Sequence, residues 1–438
     1  MSHCVVIDID SLILGRSLPC PIHDQKGTLL LAKGEVLTSE HKRRMRARGT
    51  SKAVIASEYA SQVALFGNDP KEVERYEREL NHFVDEAIQT GRFDIRNEGP
   101  AVAEGVVDRG CSSYDARHIE SVRGQIASGS TLVKDLMANV HEIGKTSATR
   151  MKEFVTSSTA LLANDFGGTL SVALAHHEQS GLSEHALKMA TLGMAMAVDL
   201  NFDASNVQIV GISGLLADIG MAQVPKELRE ADRRLSASEF AKVQRHTIYT
   251  ANHVERIPTI PDVVRVVSYQ VHERPDGSGY PRARTSNTIH PFAMILNVAD
   301  AYIAMTTSRP HRPPMMPYAA VKQLLRMAQL GQADVQAVRA LLHVLSLFPI
   351  GSYVAISDGS VAKVMRSNRR DYTKPIVARI QDADGNRIGL DDKRLLLDLT
   401  STDLSIVQAL PQPGSNEVRL EGRDAEATLE RCYSNSHN

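Results

Sequence analysis

Between residues 182 and 306 this chain repeatedly places one histidine or aspartate within or beside an apolar helical run. That pattern limits the fold more than any other feature. His185 falls on a helix with a stripe of Ala186, Met189, Ala190 and Gly193, for which Ser183 is the expected N-cap. Asp218 ends the run 207–216, apolar nearly all round and therefore expected to be a buried helix. His246 lies with Phe240 and Val243 on a helix opened by a capping box, Ser236 with Glu239 three residues on. His272 ends a helix that carries Val263, Val264 and Val267, with Pro261 in its first turn. Asp300 shares a face with Phe292 and Leu296 after Pro291 opens the last of these helices.

An aspartate between Val298-Ala299 and Ala301-Tyr302 is costly to bury unless charge or metal compensates it. Asp218, after Leu215-Leu216-Ala217, poses the same problem. Two arrangements answer it. The carboxylates cap or bond within helix ends, or a helical bundle holds metal between His and Asp side chains. In the second case the metal activates water and stabilises charge on a phosphoryl group. Imidazole and carboxylate ligands suit iron, manganese or zinc, and spacing does not choose among them.

The rest of the chain frames that region. At 438 residues it is too long for one ordinary core. Residues 1–60 read as a small α+β unit, with strands around Val5 and Leu29 and a basic helix opened by Thr38. Residues 61–115 read as a connector: a charged, solvated helix over 69–91 and then a loop rich in Gly, Asp, Arg and Ser. The stretch 116–350 is helical. After Pro349 the period changes to strands, with turns at Asp358-Gly359 and Asp384-Gly385, giving a β-rich module over 351–410. Residues 411–438 read as a frayed tail. The expected class is mainly α: a helical bundle flanked by a small N-terminal α+β unit and a small C-terminal β module.

Composition excludes some functions. Fifty basic and 51 acidic residues leave a net charge of −1, so no global field draws the chain to nucleic acid or acidic lipid. No tryptophan and 5% aromatics weigh against base stacking along a nucleic-acid polymer. Cys4, Cys20, Cys111 and Cys432 form no CxxC pair and fit thiols of a reducing compartment. No apolar run approaches the roughly 20 residues of a membrane helix, and a cytoplasmic location is the expectation.

The order and spacing of these blocks resemble the HD-GYP branch of the HD phosphohydrolases, whose members hydrolyse cyclic di-GMP. The matching blocks are Ser183-Glu184-His185, Leu215-Leu216-Ala217-Asp218-Ile219-Gly220, Arg245-His246, His272-Glu273-Arg274-Pro275-Asp276-Gly277-Ser278-Gly279-Tyr280-Pro281 and Ile295-Leu296-Asn297-Val298-Ala299-Asp300-Ala301-Tyr302, extended by Arg309-Pro310-His311-Arg312. The resemblance implies Asp218 as a carboxylate bridging two metals. It implies His185 and Asp300 on one metal, and His246 and His272 on the other. Tyr280 would line the nucleotide pocket, Arg309 and Arg312 would face phosphate oxygens, and Gly277 and Gly279 would supply φ > 0 in the loop. Iron or manganese is the implied cofactor and cyclic di-GMP the implied ligand. A protein partner at the Gly277–Pro281 loop and a homodimer are further expectations.

The departures are equally specific. Ala217 stands where the family's pattern has the His of its His-Asp pair, and Val271 where it has the first of two histidines. Met221 replaces a phosphate-contacting lysine, Ile303 a second Asp, and Gly181 the Glu of a third metal site found in some members. Each metal of the pair thereby loses one imidazole. His176, His177, Glu178 and His253 are the residues that could supply a ligand instead. The expected function is therefore a cyclic di-GMP signalling protein with a degenerate HD-GYP domain, binding nucleotide or a protein partner with weak or no hydrolysis. The alternative is an active, metal-dependent phosphodiesterase.

Overall fold

In the computed structural model, residues 4–9, 12, 17–56, 59, 63, 70–140, 145–175, 181–257, 259–308, 313–369, 371–389, 396–415 and 417 are described. Alternating apolar residues build the N-terminal unit. Strands β1 (Cys4–Asp8), β2 (Ile22–His23), β3 (Leu29–Leu31) and β4 (Lys52–Ala56) form an antiparallel sheet of order β1-β4-β2-β3. Helix α1 (Ser39–Ala47), capped by Thr38, connects β3 to β4. Ile7, Ile9, Ile22, Leu37, Met45 and Ile55 close its own small core.

Helix α2 (Pro70–Gln89) corrects the expectation of a solvated connector. Val73, Tyr76, Leu80 and Val84 recur at helical spacing and are buried against Ile248, Ala251, Val266 and Tyr269. Its charges occupy the opposite face, which is why the sequence reads as polar overall. Residues 97–107 are likewise tied down rather than free. Asp203 accepts hydrogen bonds from the amides of Glu98 and Gly99, Val102 N–H donates to the Phe202 carbonyl, and Val107 N–H to Ala163.

The bundle follows: α3 (Ala116–Ala138), α4 (Lys145–Asn164), α5 (Phe166–Ala173), α6 (Leu182–Asp199), α7 (Ala204–Leu216), α8 (Lys226–Arg229), α9 (Ala237–Gln244), α10 (His246–Glu255), α11 (Asp262–Gln270), α12 (Pro291–Thr306), α13 (Pro317–Gln329) and α14 (Val335–Leu345). Helices α6, α7 and α12 are buried on nearly every face and form the centre of one apolar core. The α6 and α7 backbones meet at Gly214, where a Cβ would lie 2.7 Å from the Ala190 Cα. The 20-residue stretch Ala204–Gln223 is long and apolar enough by composition to cross a membrane, contrary to the sequence expectation, but 72% of its most apolar window is buried inside the protein. The interior of the bundle accounts for that composition.

The C-terminal module is an antiparallel sheet of order β8-β7-β6-β5-β9, from β5 (Tyr353–Ile356), β6 (Val361–Arg366), β7 (Ile376–Gln381), β8 (Leu396–Asp398) and β9 (Ile406–Leu410). It is fixed to the bundle by a buried pair. Arg366 on β6 makes a two-pronged contact with Asp165, which also caps α5 through the Gly168 amide.

Candidate metal centre and nucleotide pocket

Four of the five ligand-type side chains are delivered at or near a helix end, and Asp300 lies within α12. Helix α7 ends at Leu216, so Asp218 lies in a turn that enters a short 3₁₀ segment, Ile219–Gln223. Thr250 on α10 holds that turn from both sides: its hydroxyl donates to the Ala217 carbonyl at 2.9 Å and accepts from Gly220 N–H at 3.0 Å. No other residue fits at 220, because a Cβ there would lie 2.1 Å from the His246 carbonyl oxygen. His246 does not extend the capped helix, as the spacing implies. Helix α9 ends at Gln244, and His246 opens α10 after a turn at Arg245.

Helix α11 stops at Gln270, with Pro261 as its N-cap residue rather than inside its first turn. His272 follows in a turn held by Asn297, whose amide donates to the Val271 carbonyl at 2.9 Å. Asn297 lies one turn before Asp300 on α12, so this bond sets His272 against Asp300. On α6 the N-cap is Gly181 instead of the expected Ser183, placing His185 at the end of the first turn.

These side chains converge. His185 Nε2 lies 2.7 Å from Asp300 Oδ1 and 3.8 Å from Asp218 Oδ2. His246 Nε2 and His272 Nε2 lie 3.4 and 3.5 Å from Asp218 Oδ1, and 3.1 Å from each other. His272 Nδ1 is 3.4 Å from Asp300 Oδ2. Asp218, His246 and His272 each direct one donor atom into a space where all three lie within 4.8 Å, and all three are buried. His253, buried two turns along α10, is not part of that group. His176, His177 and Glu178 lie outside the described residues.

The electrostatics follow from burial. Burial alone would raise both carboxyls. Hydrogen bonds and charge from His246 and His272 outweigh that at Asp218 and hold it well below the usual carboxylate range. His185 and His272 do the same at Asp300, which is pulled far down. For His272, burial lowers its value, and the bonds to Asp218 and Asp300 override it, pushing it up to about 10. Two buried carboxylates thus require a cation among them, either a protonated imidazole or a metal ion. The donor set fits a divalent metal: two imidazole Nε2 atoms and a carboxylate oxygen face one point.

The glycine-rich loop closes one side. Gly277 has φ +79°, as expected. Gly279 corrects the expectation: it is not left-handed, and its need is contact. A Cβ there would lie 2.4 Å from Arg274 N and 2.5 Å from the His272 carbonyl oxygen. The loop returns on itself through Tyr280 N–H to the His272 carbonyl at 3.1 Å. Glu273, almost fully buried, accepts from the Arg282 amide at 2.7 Å and the Arg284 amide at 2.8 Å. The loop thereby stacks the Tyr280 ring on His272, with centroids 4.9 Å apart and planes 16° apart, and edge-on to Phe240.

Above the cluster lies a pocket of about 630 Å³, lined by His185, Asp218, His246, His272, Asp300 and Tyr280, with Met221 on its wall. That volume is within the range for a small-molecule site. A larger cavity of about 1340 Å³ lies alongside, between α3, α5 and the C-terminal sheet, and shares Lys134, Gly181, Ser183 and Glu184 with it. Among the described residues no His or Asp lines that second cavity, whereas the five ligand-type side chains line the smaller one. Ala217 and Val271 are fully buried in the bundle core. Arg309 and Arg312 lie outside the described residues. Sequence reasoning missed Glu184 and Lys188, which pair at 2.7 Å on the face of His185, and Arg229, which also lines the pocket. Helical spacing reaches Lys188, three residues on from His185, and Glu184 is its i, i+4 partner.

Residues 169–336 match the HD domain family model, a span that covers every one of these ligands. These residues carry the sequence pattern of an HD domain. The chain is 30% identical over 194 residues to a cyclic di-GMP phosphodiesterase of Pseudomonas aeruginosa, covering 44% of this chain and 46% of that one. It is 29% identical over 153 residues to a 3'3'-cGAMP-specific phosphodiesterase of Vibrio cholerae, covering 35% of each. The match thus spans less than half the length of either relative. Among solved structures, an HD-GYP protein of Bdellovibrio bacteriovorus aligns over 77% of this chain and 98% of its own, at 18% identity and a TM-score of 0.43.

Proposed function

We propose that this chain is a cyclic di-GMP-binding signalling protein whose HD-GYP domain retains a metal-ready recognition site and has lost most of its hydrolytic power. The observation that carries this reading is a contrast within one pocket. Asp218, His246, His272, His185 and Asp300 converge, while Ala217 and Val271 are packed into core and Met221 lines the wall. A pocket that keeps its shape, its Tyr280 ring and part of its ligand set, but offers apolar groups where chemistry needs imidazole and ammonium, supports binding over turnover. The relatives act on cyclic dinucleotides, by their names, and the pocket volume accords with a ligand of that kind.

In this reading Asp218, His246 and His272 would hold one divalent ion, iron or manganese, and His185 with Asp300 would complete the site on the other side. When bound, the ion supplies a polarised water and charge stabilisation at phosphorus. The chain's own residues set how far that reaches. Tyr280, fixed by its stack on His272, presents a ring for a base or ribose. Met221 presents no charge to the phosphate. The convergence of three donors at one point also favours a second reading, slow hydrolysis at a single metal.

Calorimetric titration of the full chain with cyclic di-GMP, in saturating manganese, tests the binding claim. Saturable heat is the expected result. Absence of heat both with manganese and with chelator would remove it.

A further inference from the structure

Four cationic side chains line the pocket among the described residues: Lys134, Lys188, Arg229 and Arg233. Three of them are accounted for. Lys188 Nζ lies 2.7 Å from Glu184. Arg233 forms a two-pronged pair with Glu239, at 2.7 and 3.0 Å. Lys134 is exposed on the rim shared with the larger cavity. Arg229 differs from all three. It is half-buried at the end of α8, its Nε is buried without a hydrogen-bond partner, and no acidic side chain among the described residues pairs with its guanidinium.

A partly buried guanidinium without an anion is costly in the free protein and poised to bind one. It lines the same space as the buried His and Asp cluster, on the segment that runs on from Met221. We infer that Arg229 is the phosphate-binding cation of this pocket, taking a phosphodiester oxygen of the nucleotide where Met221 offers no charge. The inference rests on the cyclic di-GMP reading for the identity of the nucleotide, and on the geometry of Arg229 alone for the phosphate. A guanidinium presents two parallel N–H groups to phosphate, so lysine at this position keeps the charge and loses the fork.

The test compares the full-length chain with Arg229→Gln and Arg229→Lys by calorimetry with cyclic di-GMP in saturating manganese. The expected result is affinity lowered at least tenfold by R229Q and less by R229K, with the melting temperature of free R229Q not lowered, because no side-chain bond is lost and an unpaired charge is removed. Equal affinity for the wild type and R229Q overturns the inference while leaving the nucleotide reading intact. If the wild type binds no cyclic di-GMP, that reading falls, and titration with inorganic phosphate in chelator decides the inference. Phosphate binding that R229Q abolishes supports it; phosphate binding that R229Q leaves unchanged, or no phosphate binding by the wild type, overturns it.

Discussion

At the scale of single residues, the site depends on bonds that hold turns rather than on the ligands alone. His290 illustrates this outside the metal cluster. It caps α12, the helix of Asp300: Nδ1 accepts from the Phe292 amide and Nε2 donates to the Phe93 carbonyl. That arrangement requires the neutral ring. Burial lowers its proton affinity, and despite the Phe93 bond its value falls to about 4. A proton would also add positive charge at a helix N-terminus. The unfolded chain takes up this proton near its ordinary value of about 6.5, so the contribution is complete above that pH and is lost as pH falls towards 4. The difference corresponds to roughly 3 kcal/mol at most. Denaturation midpoints measured from pH 7.5 to 4.5 are expected to fall less steeply in His290→Asn than in the wild type; identical profiles would assign the acid sensitivity elsewhere.

Gly279 offers a second test at this scale. Its Cβ would strike backbone atoms of Arg274 and His272, which cannot rotate away. Gly279→Ala is expected to destabilise the protein by about 1–3 kcal/mol, the cost of forcing atoms into a packed site. It should also weaken cyclic di-GMP binding at least tenfold, because Tyr280 leaves its stack on His272. Thermal melting with calorimetry checks both, and wild-type affinity would show that the loop does not position the ring.

At the scale of elements, docking depends on a few buried pairs. Asp165 links the α5 N-terminus to Arg366 on β6, and Arg366 also donates to the Ser112 carbonyl. Burial raises the Asp165 carboxyl, and Arg366 with the Gly168 amide more than offsets this, holding it below its usual range. The pair is therefore intact above the ordinary carboxylate value and is lost as pH falls below it. Asp165→Asn leaves the guanidinium buried without its counter-charge, at a cost of about 3 kcal/mol. A fall in apparent Tm of roughly 5 °C or more is expected, together with faster proteolytic release of residues after 350. An unchanged Tm would mean that the β module is held by its apolar contacts alone. Helix α2 gives the complementary lesson. Its sequence is dominated by charge, but four residues at helical spacing suffice to seat it on α10 and α11.

At the scale of the whole molecule, much of the architecture was legible because the central helices are apolar on most faces and several turns are marked by Pro, Gly or a cap. The capping box at Ser236, Pro291 at the start of α12 and the hairpin around Asp358-Gly359 all occur as the sequence indicates. The five ligand-type residues were legible by type and order, and the structure brings them together. What was not legible depends on tertiary contact: the break between α9 and α10 at Arg245, the burial of α2, and strand β9, whose partner β5 lies some 50 residues earlier. Arg229 was invisible for the same reason, since only the fold shows which cations lack an anion.

The central claim is that recognition has outlived catalysis in this pocket. Equilibrium dialysis of the manganese-loaded chain against cyclic di-GMP, followed by chromatographic identification of the nucleotide recovered with the protein, tests it most directly. The account predicts intact cyclic di-GMP retained at close to one molecule per site. Conversion of the pool to linear pGpG or GMP over many turnovers, or recovery of no nucleotide, would contradict it.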